Sequence, residues 1–387
     1  MSAPIHHMYL IHDEENTANL LPALDPTFKP QKITLVYDTS RQTFAQALDE
    51  IFAPTGIEII HCLLVNDWDV STARDTLLNH LIHYENDQWM LNIAGGSRPI
   101  CAVAHEIFHE FEYPIFFADA DHAQIVWIYD PQQETLPPPY DLQQRVKLRA
   151  YFQSYLGEIQ TFETHPQLSR DLHALCQELA QRVYIYRDQL KRLNYLASKA
   201  QHTLKSPPLE SYLLNNDGFM WLMEEFEQMG KLSHDHQSNC LIFPDEESRF
   251  FVNGGWLENY VHAELMSLKG QRPQLGEVGR SVNVIWDING EEVRNEIDLA
   301  FIYDNQLYLI ECKTKNFHEK GPAQDVIYKM DTLQHLLGGA RCRALFVSYH
   351  SLHHSHERRA RTLDIDLCSG EQLAQLRNHL LNWLPKE

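Results

Sequence analysis

The chain has 387 residues, 44% of them hydrophobic and 22% charged, with a formal net charge of −21. That length exceeds one ordinary core and calls for two domains. The charge excludes a general nucleic-acid coat, which needs a basic face, but not an enzyme that brings nucleic acid to one cation-containing groove. No apolar run is long enough to span a bilayer and MSAPIHHMYL lacks a secretory pattern. Seven dispersed cysteines without a CxxC pair read as reduced thiols. A cytoplasmic protein with no membrane association is expected.

In chain order, MYLIH, KITLVYD, IEIIHCLLV, QWMLNIAGG, YPIFFAD and AQIVWIYD are strand-like and alternate with helical stretches such as RQTFAQALDEIF and TARDTLLNHLIHY. This predicts a largely parallel, doubly wound sheet that ends in a hairpin around Ala120 to His122. In QWMLNIAGGSRPICAVAHEIF, Gly95, Gly96, Ser97 and Arg98 stand between a strand and a helix. Small residues there let backbone N–H groups approach an anion at the helix N-terminus, though an ordinary strand-to-helix turn has the same composition. His12 and Asn66, at other strand ends, are further candidate contacts by position. The helix also carries His105-Glu106-Ile107-Phe108-His109, the HExxH string of zinc proteases. Such a site needs a third ligand on a following helix and an open cleft. The chain turns instead straight into EYPIFFAD, so the histidines read as exposed groups on a helix.

The proline-rich PQQETLPPPYD closes this unit. Leu168, Leu172, Leu175, Leu179, Val183, Tyr186, Leu190 and Leu193 then step by threes and fours, a stripe expected to form one long spacer helix. KSPPLES breaks it, LESYLLNNDGFMWLMEEF restarts helical patterning, and α/β patterning returns from about 237. The expected divisions are residues 1–145, a helical connector at 146–235 and a second α/β domain at 236–387.

In that last part, RNEIDLAFIYDNQLYLIECKTK reads as a hairpin turning at Asp304-Asn305, since Asn tolerates positive φ. Pairing Tyr303 with Gln306 places Asp298 opposite Glu311, with Lys313 two residues further on the same face, opposite Glu296. Ala300, Ile302, Leu307 and Leu309 continue that face, and Ile297, Leu299, Phe301, Tyr308 and Ile310 form the other. Two carboxylates forced together repel unless a cation lies between them, and hard Mg2+ or Mn2+ prefers oxygen ligands. The plain alternative is a surface hairpin with a Glu–Lys pair. Upstream, NGGWLENYVHAEL starts a helix with Glu258 at the edge of its apolar face. Downstream, Gly321-Pro322 opens a helix on which Gln324 and Tyr328 share a face.

A helix with Glu, a hairpin with Asp and ExK, and a helix with QxxxY together resemble the PD-(D/E)xK restriction-endonuclease-like superfamily, over roughly 250 to 387. Ile297 stands where proline often precedes the aspartate. The resemblance implies a metal held by Glu258, Asp298 and Glu311, a catalytic Lys313, and a site supported by Gln324 and Tyr328. With this nuclease behind it, the Gly95–Arg98 stretch resembles the CARF sensor domain, whose GGT-K-like signature binds a cyclic oligoadenylate. Ser97 and Arg98 stand where Thr and Lys are usual and keep the hydroxyl and the charge. The expected fold class is therefore α/β: a Rossmann-like CARF domain, a helical connector and a PD-(D/E)xK domain. The order resembles that of the type III CRISPR ancillary nucleases. This implies a homodimer that binds cyclic tetra-adenylate across its axis and a Mn2+- or Mg2+-dependent endonuclease acting on single-stranded or nicked DNA, with RNA left open. A ligand-responsive regulator with an inactive nuclease fold is the alternative, against which Asp298, Glu311 and Lys313 argue.

Overall fold

The computed structural model describes residues 3–12, 16–165, 168–288, 290–315 and 322–385. The N-terminal part comprises β1 (Ile5–Leu10), α1 (Asn16–Leu24), β2 (Lys32–Asp38), α2 (Gln42–Phe52), β3 (Glu58–Leu64), α3 (Val70–His83), β4 (Gln88–Asn92), α4 (Arg98–Glu110), β5 (Ile115–Asp119), β6 (Gln124–Tyr129) and β7 (Tyr140–Asp141). After it come α5 (Leu148–Ser154), β8 (Gly157–Glu163), α6 (Arg170–Gln181), α7 (Val183–Lys199), α8 (Ser211–Leu214), α9 (Asp217–Gln228), β9 (Ser233–Asp235), β10 (Cys240–Ile242), α10 (Glu246–Phe250) and α11 (Trp256–Ser267). The rest is β11 (Leu275–Ile288), β12 (Glu291–Tyr303), β13 (Gln306–Lys313), α12 (Pro322–Leu336), β14 (Cys342–Ser348), α13 (His354–Thr362), β15 (Ile365–Ser369) and α14 (Leu376–Trp383). Gly321 lies outside the described residues.

The first sheet has the order β3-β2-β1-β4-β5-β6-β7, parallel from β3 to β5 and antiparallel beyond. This is the expected doubly wound sheet with its terminal hairpin. Side chains punctuate it as local chemistry dictates: Asp69 caps α3 by accepting from Thr72 N at 3.1 Å, and Pro99 fills the first turn of α4. The strand order reverses between β1 and β4, so a crevice opens beyond their carboxyl ends, where such sheets bind ligands. His105 and His109 stack on one face of α4, while Glu106 and Glu110 are both bound by Arg74 of α3. The HExxH glutamate is thus committed to helix pairing. Among the described residues, no helix is long and apolar enough to cross a membrane, and no disulfide is formed.

The second sheet has the order β15-β14-β13-β12-β11-β8. β8 lies in the stretch expected as a helical connector, yet it pairs antiparallel with β11 as the sheet's outer strand. The leucine stripe is two helices, not one, broken at Arg182. Leu172, Leu179, Leu190 and Leu193 pack in one cluster with Trp256, Leu257, Phe301 and Tyr308. The stripe is a covering layer of the second sheet rather than a spacer.

The hairpin register is as expected from Leu299–Ile310 to Tyr303–Gln306, with Asp304 and Asn305 both at positive φ (49° and 61°). On its other edge β12 pairs Glu296 with Asn283 of β11, and the described ladder between β12 and β13 ends at Leu299–Ile310. The side-chain alternation also departs from the expectation. Ile297 packs with Val282, Ala300 and Ile302, whereas Leu299 packs with Val278 and Phe301. The phase changes at Asp298, which faces Ser281 between the pairs Arg280–Leu299 and Val282–Ile297. Ser281 has φ 49°, and this left-handed residue turns β11 so that alternation restarts on the other face.

Asn305 does more than turn the chain. Its Oδ1 accepts from Val146 N at 3.0 Å and its Nδ2 donates to Ala120 O at 3.2 Å, so the hairpin tip is pinned to the β5–β6 turn of the first sheet. Asn305→Ala is expected to lower stability by about 2–4 kcal/mol, because it combines left-handed strain with two unpaired buried groups. Asn305→Gly should lose only the hydrogen-bond part, and equal denaturation midpoints for the two variants would exclude a contribution from turn strain.

Candidate active site

The hairpin's base gathers the acidic groups. Asp298 and Glu311 are 7% and 4% exposed. One step beyond the last described pair of the ladder, Asp298 Oδ2 accepts from the Cys312 amide at 2.7 Å. Lys313 Nζ lies 3.2 Å from Asp298 Oδ2 and 2.7 Å from Glu311 Oε1, a bridging ammonium between the two carboxylates. Glu258 is in the first turn of α11. The preceding turn brings it close: Gly254 has φ 115°, and a Cβ there would fall 2.0 Å from Thr314 Oγ1. Only glycine lets the start of α11 abut the end of β13. Asn194 of α7 hydrogen-bonds the same hydroxyl at 3.1 Å, so the leucine-striped layer touches the chain just beyond β13.

The electrostatics follow from crowding. Burial and then Glu311 push the Asp298 carboxyl up to about 6, against Lys313 and the Cys312 amide. Burial and then Asp298 hold Glu258 well above the usual carboxylate range, with Lys313 opposing. Burial draws the Lys313 ammonium down, but Asp298 and Glu311 outweigh it and keep it above its ordinary value. Among the described residues no three His, Cys, Asp or Glu groups stand as a ready metal cage. Asp298 and Glu311 instead share a lysine. The donors are nevertheless all carboxylate oxygens, and their unfavourable concentration of charge fits a hard divalent cation.

Gln324 is half-buried on α12 and makes no hydrogen bond to Asp298, Glu311 or Lys313 among the described residues. Tyr328 is exposed beneath the guanidinium of Arg359, 5.3 Å from the ring centroid. The α12 residue that does reach the site is Lys329, with Nζ 3.4 and 3.3 Å from the two Glu311 oxygens and 2.7 Å from Glu296 O. Its only sequence signal is a position beside the apolar stripe of Ala323, Ile327 and Met330, which a solvent-seeking lysine shares.

The other expected site lies at the switch point of the first sheet. A Cβ at Gly95 would meet Leu10 O at 2.2 Å, and Gly96, at φ 86°, abuts Leu10 Cβ. The turn is therefore packed directly on the end of β1. Ser97 is the N-cap residue of α4 without a side-chain cap, Arg98 is exposed, and Asn66 is occupied by accepting from Trp68 N at 2.8 Å. Three residues outside the expected set complete the cluster. Arg41 reaches Asp38 and Asp67 at 3.4 and 3.3 Å. Burial and then Asp38 raise the Asp67 carboxyl, with Arg41, Ser97 and His12 opposing. Arg41 Nε is buried without a hydrogen-bond partner. No motif marks these positions; only strand ends placed side by side reveal them.

Residues 245–386 match the family model described as "Card1-like, endonuclease domain". No curated protein matches the sequence. Among solved structures, protein VC1899 from Vibrio cholerae is similar at a TM-score of 0.88 and 25% identity, over 98% of both chains. Can2 from Sulfobacillus thermosulfidooxidans, solved in complex with cyclic tetra-adenylate, is similar at a TM-score of 0.81 and 22% identity, over 99% of this chain and 100% of that one. A type III CRISPR defence DNA nuclease activated by cyclic oligoadenylate aligns at a TM-score of 0.52 and 13% identity, over 90% of this chain and 45% of that one. The chain thus shares the fold of VC1899 and Can2 along nearly its whole length, and its C-terminal part is similar to Card1-like endonuclease domains.

Proposed function

We propose that this chain is a nuclease of type III CRISPR defence, switched on by a cyclic oligoadenylate, with cyclic tetra-adenylate as the first ligand to test. The observation that carries the nuclease half is the Lys313 ammonium bridging Asp298 and Glu311 beside Glu258. Glu258, Asp298 and Glu311 would hold a hard divalent cation, Mn2+ or Mg2+. When bound, that ion supplies Lewis-acid activation of water and of the scissile phosphate. Lys313, released from its bridge, places a positive charge beside the phosphate as charge develops in the transition state. DNA, single-stranded or nicked as a duplex, is the proposed substrate, and RNA is the second to test. A net charge of −21 disfavours broad, non-specific binding to a polyanion, so the proposed recognition is local to the acidic cluster's metal.

The sensor half rests on the switch-point cluster. Gly95, Gly96, Ser97 and Arg98 form the anion-facing turn, His12 lies just beyond β1, and the buried, unpartnered Arg41 Nε is a donor that a polar ligand would satisfy. Val65 and Trp68, both 77% exposed, flank the buried Asp67. Apolar surface beside a site for a twofold-symmetric ring supports a homodimer that closes over it.

Three outcomes test this reading. Plasmid, single-stranded DNA and RNA with Mn2+ should be cleaved only when cyclic tetra-adenylate is present, and Glu311→Ala should lower cleavage by about a thousandfold; ligand-independent or absent cleavage by the wild type would overturn the activation scheme. Trp68→Glu should convert a dimer to a monomer in light scattering, whereas an unchanged mass would remove this patch from the interface. The third concerns pH. Asp298 binds its proton more tightly in the folded chain, so its contribution to metal-free stability is complete below the unfolded value of 3.8 and lost as pH rises through about 6. Thermal stability without metal should fall across that window, Mn2+ should restore it at pH 7, and Asp298→Asn should flatten both responses.

A further inference from the structure

Lys329 belongs to none of the residues that the hairpin pattern calls for, yet it is the cation placed most symmetrically on Glu311. Its Nζ is 3.4 Å from Oε1 and 3.3 Å from Oε2, and a shorter bond of 2.7 Å to the carbonyl of Glu296 fixes its height over β12. Lys313 takes the same carboxylate at 2.7 Å through Oε1 alone. Glu311 is therefore held from two sides, by its own strand and by α12, and it is buried enough that rotation away from both ammonium groups would leave it unpaired.

The two lysines differ in what anchors them. Lys313 moves with β13. Lys329 moves with α12, whose inner face is seated on the sheet through Ala323, Ile327 and Met330 against Ala344 and Phe346. Just beyond the end of that helix, the Leu337 carbonyl accepts from Tyr151 Oη of α5 at 2.9 Å. Gly338, at φ 111°, could not carry a Cβ without meeting the same hydroxyl at 2.8 Å. The helix position, and with it the Lys329 ammonium, is set by packing outside the acidic cluster.

We propose that Lys329 is a positioning residue for the nuclease reaction: it orients the Glu311 carboxylate by holding it from α12, and it occupies charge that an incoming divalent cation must overcome. The inference rests on the nuclease reading above. Two consequences have opposite signs. Removing the cation lowers repulsion at the site, so the metal binds more tightly. Removing the anchor frees Glu311 to adopt orientations that do not serve turnover, so the rate at saturating metal falls. A lysine that merely packs against the sheet produces neither pattern.

The test titrates Mn2+ into the full-length protein without nucleic acid, by calorimetry and by the loss of free Mn2+ signal in electron paramagnetic resonance, for wild type, Lys329→Met and Lys329→Arg. Turnover on single-stranded DNA is measured at saturating Mn2+ and cyclic tetra-adenylate. Lys329→Met should bind Mn2+ about threefold or more tightly and turn over about tenfold or more slowly. Lys329→Arg should keep both values within about threefold of wild type, because the guanidinium retains the charge and the reach. Wild-type values for both quantities in Lys329→Met overturn the proposal. Weaker Mn2+ binding with lost turnover that arginine does not rescue also overturns it, by showing a structural role. A wild type that binds no Mn2+ overturns the nuclease reading and this inference together, so the two failures are distinguishable.

Discussion

Ala300, Ile302, Leu307 and Leu309 of the β12–β13 hairpin are buried in the same apolar cluster as Tyr9, Leu35 and Phe116 of the first sheet and Tyr151 and Phe152 of α5. Two domains that share one core cannot rock freely against each other, as domains joined by a small polar interface do. The face of the hairpin that reads in sequence as simply apolar is the surface on which the second sheet meets the first. The tip completes this contact through Asn305, and Gln306 adds a bond from Nε2 to Asp121 Oδ1 at 3.1 Å. One end of the ribbon therefore docks on the first sheet's β5–β6 turn and the other presents the acidic cluster.

That arrangement explains why the acidic end is tolerable. Burying Asp298, Glu311 and Glu258 within one cluster is unfavourable unless positive charge comes with them. The chain supplies Lys313 from the same strand and Lys329 from the covering helix, leaving three carboxylates against two ammonium groups at the centre. The kink at Ser281 has its counterpart here. By breaking the alternation at Asp298, it lets Leu299 and Ile297 serve opposite cores while the aspartate takes the Cys312 amide that the ladder leaves over.

How much was legible in sequence follows from the range of the interactions involved. The Asp304-Asn305 turn and the register from Leu299 to Gln306 are set by residues adjacent in the chain, so a local rule recovers them. Glu258 was legible because a glycine pair and an apolar helical face announce where its helix begins. The phase of Ile297 was not, because it is decided by the φ of Ser281 on another strand. β8 was read as part of a helical connector because GEIQTFE is a short run whose partner, β11, lies more than a hundred residues on. Lys329, Arg41 and Asp67 escape any motif: each is an ordinary charged residue until tertiary packing places it beside a buried partner of opposite sign.

The same packing links the switch point of the first sheet to the acidic cluster. The Gly95 backbone abuts the Leu10 carbonyl, and that carbonyl also accepts from Asn19 Nδ2 at 3.1 Å. Asn19 is locked in turn by Asn92 Nδ2 at 3.0 Å, and Asn16, on the same helix, donates to Ser154 O of α5 at 2.9 Å. α5 holds the end of α12 through Tyr151, and α12 holds Glu311 through Lys329. Every bond from Leu10 to Leu337 in this series is buried, so a shift of the Gly95–Gly96 turn cannot be absorbed by solvent and must either break a bond or move a helix. The quantity such a shift alters is the position of α12 over β13. Lys329 touches both, so the same displacement would bear on the Glu311 carboxylate.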